Sequence, residues 1–299
     1  MIGCRWLAVG LLGLVLAGCG AHHYPAVRPA PWTVKGHPQS EFTLEEQARI
    51  TDNCPMGMPR LDPNAEWGST SFIIREGYVL EHSSALKIPV WVCEGVASTE
   101  LHGNAERKDR FRPDTLLPEG ERSELKDYKG SGYDRGHMAP AGNQNAEQRL
   151  KDETFFLSNM TPQEGPFNQQ IWRELEDLVR SWLDAHGAGW VVTGSMFYEE
   201  EEEDEQTADG FIDYFVIGPS LVAVPTHFFK LVVAQDSAEQ VEAIGFVIEN
   251  RGHSRPFDWS EHIRAIDWIE ARAGMDLLPE LDVITAQELE ATPSPIWNE

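Results

Sequence analysis

Two spacings of apolar side chains organise this sequence. Short runs rich in Val, Ile, Phe and Trp, bounded by Gly, Pro or charged clusters, have the length and composition of strands. They fall at 72–80, 88–93, 154–159, 190–193, 211–217, 222–233 and 242–248. Elsewhere the spacing is helical. Ile171, Trp172, Leu175, Leu178, Val179, Trp182 and Leu183 line one face of a helix predicted over 167–185. Shorter helices are expected over 44–51 and over 260–273, the latter capped by Ser260. No internal repeat is visible, and the mixture of elements is that of an α+β protein. Asn168 falls near the middle of the apolar face of the 167–185 helix, at its N-terminal end. An amide aimed the same way as the core needs a partner, and it serves either as a helix cap or as a hard oxygen ligand. Glu176 and Arg180 lie one turn apart on the flank, the spacing of an ordinary surface ion pair.

The N-terminus breaks this pattern. Arg5 precedes an apolar stretch from Trp6 to Gly18, too short to span a membrane and followed by Cys19. The run Leu16-Ala17-Gly18-Cys19 resembles a bacterial lipobox, which implies a cleaved signal over 1–18 and lipid on Cys19. That places the chain at the cell envelope with a membrane partner. Gly20, in place of an inner-membrane-retaining Asp, favours the outer membrane. Residues 19–50, rich in Pro, His and polar side chains, read as a flexible tether. One domain over 51–285 and a tail over 286–299 complete the expected organisation. With Cys4 and Cys19 assigned to the leader and the lipid, Cys54 and Cys93 are left, and in an exported protein such a pair is expected to bridge.

Charge narrows the options. The formal net charge is −25, which argues against bulk attraction to nucleic acid. Residues 101–135 nevertheless hold 8 of the 24 basic side chains against 8 acids, a locally neutral stretch. The run of acids over 199–205 reads as a solvated loop.

Within that setting, Asp134-Arg135-Gly136-His137 brings unusual chemistry into four positions. An arginine grips phosphate in two places, a glycine lets backbone approach a ligand, and a histidine exchanges protons near neutral pH. A phosphate clamp beside a proton acceptor suggests phosphodiester hydrolysis. Zinc-site spacings such as Cys-x-x-Cys or His-Glu-x-x-His are absent.

That tetrapeptide is followed by Leu157-Ser158-Asn159, and then by Asn168, Glu176 and Arg180 on one helix. Tyr128 to Gly132, Val192-Thr193-Gly194 and Val224 to Lys230 flank them. In this order the segments resemble the DNA/RNA non-specific endonuclease family, the ββα-metal nucleases of the endonuclease G and Serratia nuclease type. The resemblance runs across roughly residues 50–285 and implies a central antiparallel sheet flanked by helices. It further implies that His137 is the general base and that Asn168 is the sole direct protein ligand of a catalytic Mg²⁺, with Mn²⁺ as the second choice. Glu176 would hold the ion's waters, Arg135 and Arg180 would clamp phosphate, and Asn159 would lie near metal and phosphate. The family carries one more arginine upstream. Arg107, Arg110 and Arg112 all qualify here, with Arg107 and Arg110 preferred.

The resemblance therefore implies a lipid-anchored, Mg²⁺-dependent endonuclease acting on DNA and RNA. Two alternatives stand beside it: a metal-dependent phosphodiesterase with a non-nucleic substrate, which the acidic surface permits, and a catalytically weak envelope binding protein on a nuclease scaffold.

Overall fold

A computed structural model describes residues 22–25, 42–203, 208–235 and 240–297. The signal stretch, Cys19 and most of the expected tether lie outside these residues. No helix among the described residues is long and apolar enough to cross a membrane.

The folded unit begins earlier than residue 51. Thr43 and Glu46 form a reciprocal capping box: Thr43 Oγ1 accepts from the Glu46 N–H at 3.2 Å, and Glu46 Oε2 accepts from the Thr43 N–H at 2.8 Å. This starts the helix Leu44–Asn53. Upstream, His22–Pro25 pairs antiparallel with Phe211–Ile217. Two parts of the expected tether are therefore ordered structure. The expected tail also folds back: it includes the helix Val283–Glu290, and the Trp297 ring lies 5.4 Å from that of Trp182.

Seven antiparallel strands form the main sheet, in the order Ile263–Arg264, Val241–Glu249, His227–Gln235, Ala188–Met196, Ile88–Ala97, Val79–Ser83 and Thr70–Ile74. Its central strands read as near-continuous apolar runs because both faces are covered. One face carries Trp91, Cys93, Phe229 and Leu231 against the helix Ile266–Ala273. The other carries Val92, Val96, Phe228 and Val232 against the helix Arg173–His186. Glu94 and Lys230 interrupt this second face, each only 1% exposed.

Several predicted elements are cut by turns. The 72–80 stretch is a hairpin of Thr70–Ile74 and Val79–Ser83, closed by the Arg75 N–H donating to the Tyr78 carbonyl at 2.9 Å. Pro225 and Thr226 divide 222–233 into Val222–Val224 and His227–Gln235. The expected 154–159 strand is absent. Thr154 instead ends the helix Gln148–Glu153 through bonds to the Lys151 carbonyl, and Leu157–Asn159 forms a 3₁₀ turn. Asp258, not Ser260, caps the turn Trp259–His262.

The expected Cys54–Cys93 disulfide is not formed. The structure holds two free buried thiols in hydrogen-bond contact, packed as apolar side chains between the helix Leu44–Asn53 and the sheet. Burial and the neighbouring thiol push Cys54 well above the ordinary thiol range.

Buried titratable groups set a pH window for stability. Burial lowers His82 and His137 to about 3 and His227 to about 4. The unfolded chain takes up protons at these sites near 6.5, so their contribution is lost as pH falls below that value. Burial raises Glu270 to about 9 and Glu290 to about 7. The unfolded carboxyls give up those protons near 4.5, so their contribution declines from there as pH rises, until about 7 for Glu290 and about 9 for Glu270. The melting temperature should therefore be highest at mildly acidic pH and decline on both sides. Glu270→Gln keeps an acceptor for the Leu277 N–H, now 2.7 Å from Oε1, and should flatten the alkaline decline in calorimetry. An equally steep decline in the variant would reject this account.

Candidate active site

His137 ends the strand Tyr133–His137, which pairs antiparallel with Met160–Glu164. Gly136 is required there: a Cβ at that position would lie 2.0 Å from the Gln163 side chain. The histidine ring is 8% exposed, edge-on to Phe155 at 4.9 Å and tilted against Phe111 at 5.7 Å. Burial first, then Arg107 and Arg135, lower it to about 3. The imidazole is thus neutral across the physiological range, the form that accepts a proton. Nε2 is shut off from solvent and unpartnered, leaving Nδ1 as the nitrogen that meets the surface.

After the second strand and a Gly-Pro turn comes Phe167–Trp172, a wide π-helical turn that runs straight into Arg173–His186. Asn168 sits in that turn and does not cap it. Its Nδ2 donates to Asp134 Oδ2 at 2.9 Å, and Gln169 Nε2 donates to the same oxygen at 2.8 Å. With its nitrogen committed, Asn168 has a carbonyl oxygen that accepts no bond among the described residues. A hard, outward-facing oxygen with a carboxylate two turns further along the helix fits a cation that keeps most of its waters.

That carboxylate is Glu176, which burial raises while Lys230 and Arg180 pull it down. The expected Glu176–Arg180 ion pair is not made. Arg180 donates instead to Asp177 Oδ1 at 2.5 Å and to Asn143 Oδ1 at 3.2 Å. Gly142 leaves room for this, since a Cβ there would come within 2.8 Å of Arg180 Nη1.

The three upstream arginines take different positions. Arg107 lies 5.4 Å over the Phe155 ring, and its charge acts on both His137 and Glu176. Arg110, preferred equally with Arg107, stands exposed, as Arg107 does. Arg112 stacks 3.8 Å over Phe156, a ring it shares with Arg75. Arg135 covers Phe111 at 4.2 Å.

Asn159, expected near the metal and phosphate, is fully buried, and its amide bonds to backbone beside His137. Oδ1 accepts from the Ala139 N–H, and Nδ2 donates to the carbonyls of Ala139 and Thr154, each at 2.9 Å. It anchors the backbone leaving His137: both amide hydrogens are used, and Oδ1 holds the Ala139 N–H.

Sequence reading assigned no role to Glu94, Asn143, Thr193 or Lys230. Lys230 Nζ donates to Thr193 Oγ1 at 2.6 Å and lies 4.8 Å over the Trp172 ring. Burial lifts Glu94 to about 8 while Lys230 pulls it down. A lone charge inside an apolar strand run, as in Val90-Trp91-Val92-Cys93-Glu94 and Phe228-Phe229-Lys230-Leu231, is the signal that marks both.

Asn159→Ala should cost on the order of 3 kcal/mol, because it leaves a buried N–H and two carbonyls without partners. Urea unfolding with an unchanged slope reads this directly. A loss below about 1 kcal/mol, the net worth of one ordinary hydrogen bond, would reject the anchoring role.

Comparison with known proteins agrees with this geometry. A family model described as DNA/RNA non-specific endonuclease matches residues 62–283. Mitochondrial endonuclease G of Homo sapiens is 34% identical over 208 residues, 69% of either chain. The mitochondrial nuclease of Saccharomyces cerevisiae is 35% identical over 216 residues, 69% of this chain and 65% of its own. The EndoG chain in a crystal structure of the EndoG/EndoGI complex superposes with a TM-score of 0.70 at 31% identity, covering 78% of this chain and 93% of that one. A central antiparallel sheet with its two-strand and helix unit, the ordered motifs and a family match over most of the chain lead to one conclusion: this protein belongs to the DNA/RNA non-specific endonuclease family, with a ββα-metal nuclease fold.

Proposed function

We propose that this nuclease hydrolyses phosphodiester bonds in both DNA and RNA, depends on Mg²⁺, or Mn²⁺ in its place, and is held at the cell envelope by lipid on Cys19. The observation that carries the reading is the neutral His137 on the strand paired to Met160–Glu164, together with an Asn168 amide that Asp134 turns oxygen-outward.

In this reading Asn168 Oδ1 would hold the ion and Glu176 its waters, and the ion would offset charge on the scissile phosphate and the leaving oxygen. His137 takes the proton from the attacking water. Arg135, Arg107 and Arg180 set the phosphate and stabilise the charge that grows on its oxygens. All of these contacts address the backbone, so cleavage carries little sequence preference and extends to either sugar. Local contacts of this kind also explain how a chain of net charge −25 binds a polyanion.

Plasmid and RNA digestion tests the reading. His137→Ala should lower cleavage by about 10²–10⁴-fold with the fold retained. EDTA and Asn168→Ala should each abolish it, and Glu176→Ala should weaken it less, because that carboxylate orients waters. Digestion that survives EDTA would remove the metal from the model. Cleavage of a chromogenic phosphodiester but of neither nucleic acid would move the substrate to a non-nucleic ester.

The anchor has its own test. Intact mass of the purified membrane fraction should show residue 19 as the lipid-modified N-terminus. A soluble form beginning elsewhere would reject it.

A further inference from the structure

The nuclease reading leaves two buried ionisable groups at the site unused, Glu94 and Lys230, and the contacts of Glu94 lead into it. Glu94 lies on a central strand, 1% exposed, on the sheet face that carries the helix Arg173–His186. A carboxylate there is costly unless it is held, and its strand neighbours Val90, Trp91, Val92 and Cys93 are all apolar. What it holds is Asn143: Glu94 Oε1 accepts from Asn143 Nδ2 at 3.0 Å. Asn143, itself 2% exposed, closes the 3₁₀ turn Ala141–Asn143, a few residues after His137. Its other amide atom, Oδ1, accepts from Arg180 Nη1 at 3.2 Å. A continuous path of hydrogen bonds therefore runs from the rigid centre of the sheet, through one amide, to the guanidinium.

Each end of the path has one polarity. Arg180 can only donate, and Glu94 Oε1 accepts in either protonation state, so the Asn143 amide is locked with nitrogen inward and oxygen towards Arg180. Arg180 has one further hydrogen bond, to Asp177, an exposed carboxylate on its own helix. Without the inner bond, that outer partner would draw the long side chain towards solvent. Lys230 cannot replace Glu94 in this path, because its Nζ, which bonds Thr193 Oγ1, only donates, and Asn143 Nδ2 needs an acceptor.

We propose that Glu94, acting through Asn143, is a positioning residue for the Arg180 guanidinium. The consequence for rate rests on the nuclease reading above; the path of contacts does not.

Two readouts test this. In steady-state cleavage of a short duplex, Glu94→Met, which keeps volume and removes the acceptor, should lower kcat about tenfold with KM changed less than about threefold, as a misplaced transition-state contact does. Asn143→Ala should do the same. In an Arg180→Ala background neither should cost more than about a further twofold, because groups acting as one unit are not additive. Glu94→Gln keeps the carbonyl and should stay within about threefold of wild type. Full independent losses in the Arg180→Ala background would overturn the proposal. So would a Glu94→Gln enzyme as poor as Glu94→Met, which would assign the role to charge and not to the bond. If Glu94→Met does not fold, the Asn143 cycle and Glu94→Gln still decide. The second readout needs no activity: ¹⁵N NMR of the arginine side chains should show slow rotation of the Arg180 guanidinium in wild type and fast averaging in Asn143→Ala. Slow rotation in both would overturn the proposal. A wild-type enzyme that cleaves no phosphodiester would sink the nuclease reading alone and leave the NMR result standing.

Discussion

One carboxylate oxygen organises the site. Asp134 Oδ2 receives N–H groups from both Asn168 and Gln169, at 2.9 and 2.8 Å. An asparagine amide rotates freely between two opposite faces, one that attracts a cation and one that repels it. By engaging the nitrogen, Asp134 leaves only the attractive face turned outward. The same bonds tie the strand that carries His137 to the turn that opens the helix of Glu176 and Arg180. The proposed base, the candidate metal ligand and the carboxylate that would hold its waters thus hang on a single junction. The π-helical turn is part of that junction, since it sets where along the helix Asn168 emerges.

Around this junction the protein spends stability on placement. His137 is wedged between two phenylalanines and beside two arginines, an environment that opposes its protonation. Glu94 and Lys230 are charges set into the middle of a sheet whose neighbouring positions are apolar. Each has a specific partner, Asn143 for Glu94 Oε1 and Thr193 for Lys230 Nζ, while Glu94 Oε2 has no hydrogen-bond partner among the described residues. The working charges stand on a rigid platform although the chain as a whole is strongly acidic. Asn159 serves the same end by different means, fixing the backbone that leaves His137.

Much of this was legible from residue order alone. Apolar spacing located the helix of Leu175, Val179 and Trp182 and most of the sheet strands, because periodicity reports which face is buried. The reading failed where local chemistry overrode a run of β-formers. Thr154 closes a helix, Pro225 cuts a strand, and the turn after Ile74 folds one run into two. At the N-terminal end it found the helix over 44–51, whose capping box at Thr43 the structure shows; at the other end it gave no sign that Trp297 packs on Trp182.

The sequence by itself determined the chemistry: an arginine and a histidine around an obligatory glycine, an amide at the head of an amphipathic helix, and a carboxylate and an arginine further along it. These are local facts, set by residue type and spacing. Only the tertiary structure decided which groups meet. It set Arg107 over the Phe155 ring that packs edge-on to His137, and it turned Arg180 to Asn143 and Asp177 and away from Glu176. It consumed Asn159 in backbone bonds and set Cys54 beside Cys93 as thiols. Each of these outcomes depends on the direction of a side chain across contacts between segments distant in sequence, and residue spacing carries no record of such direction.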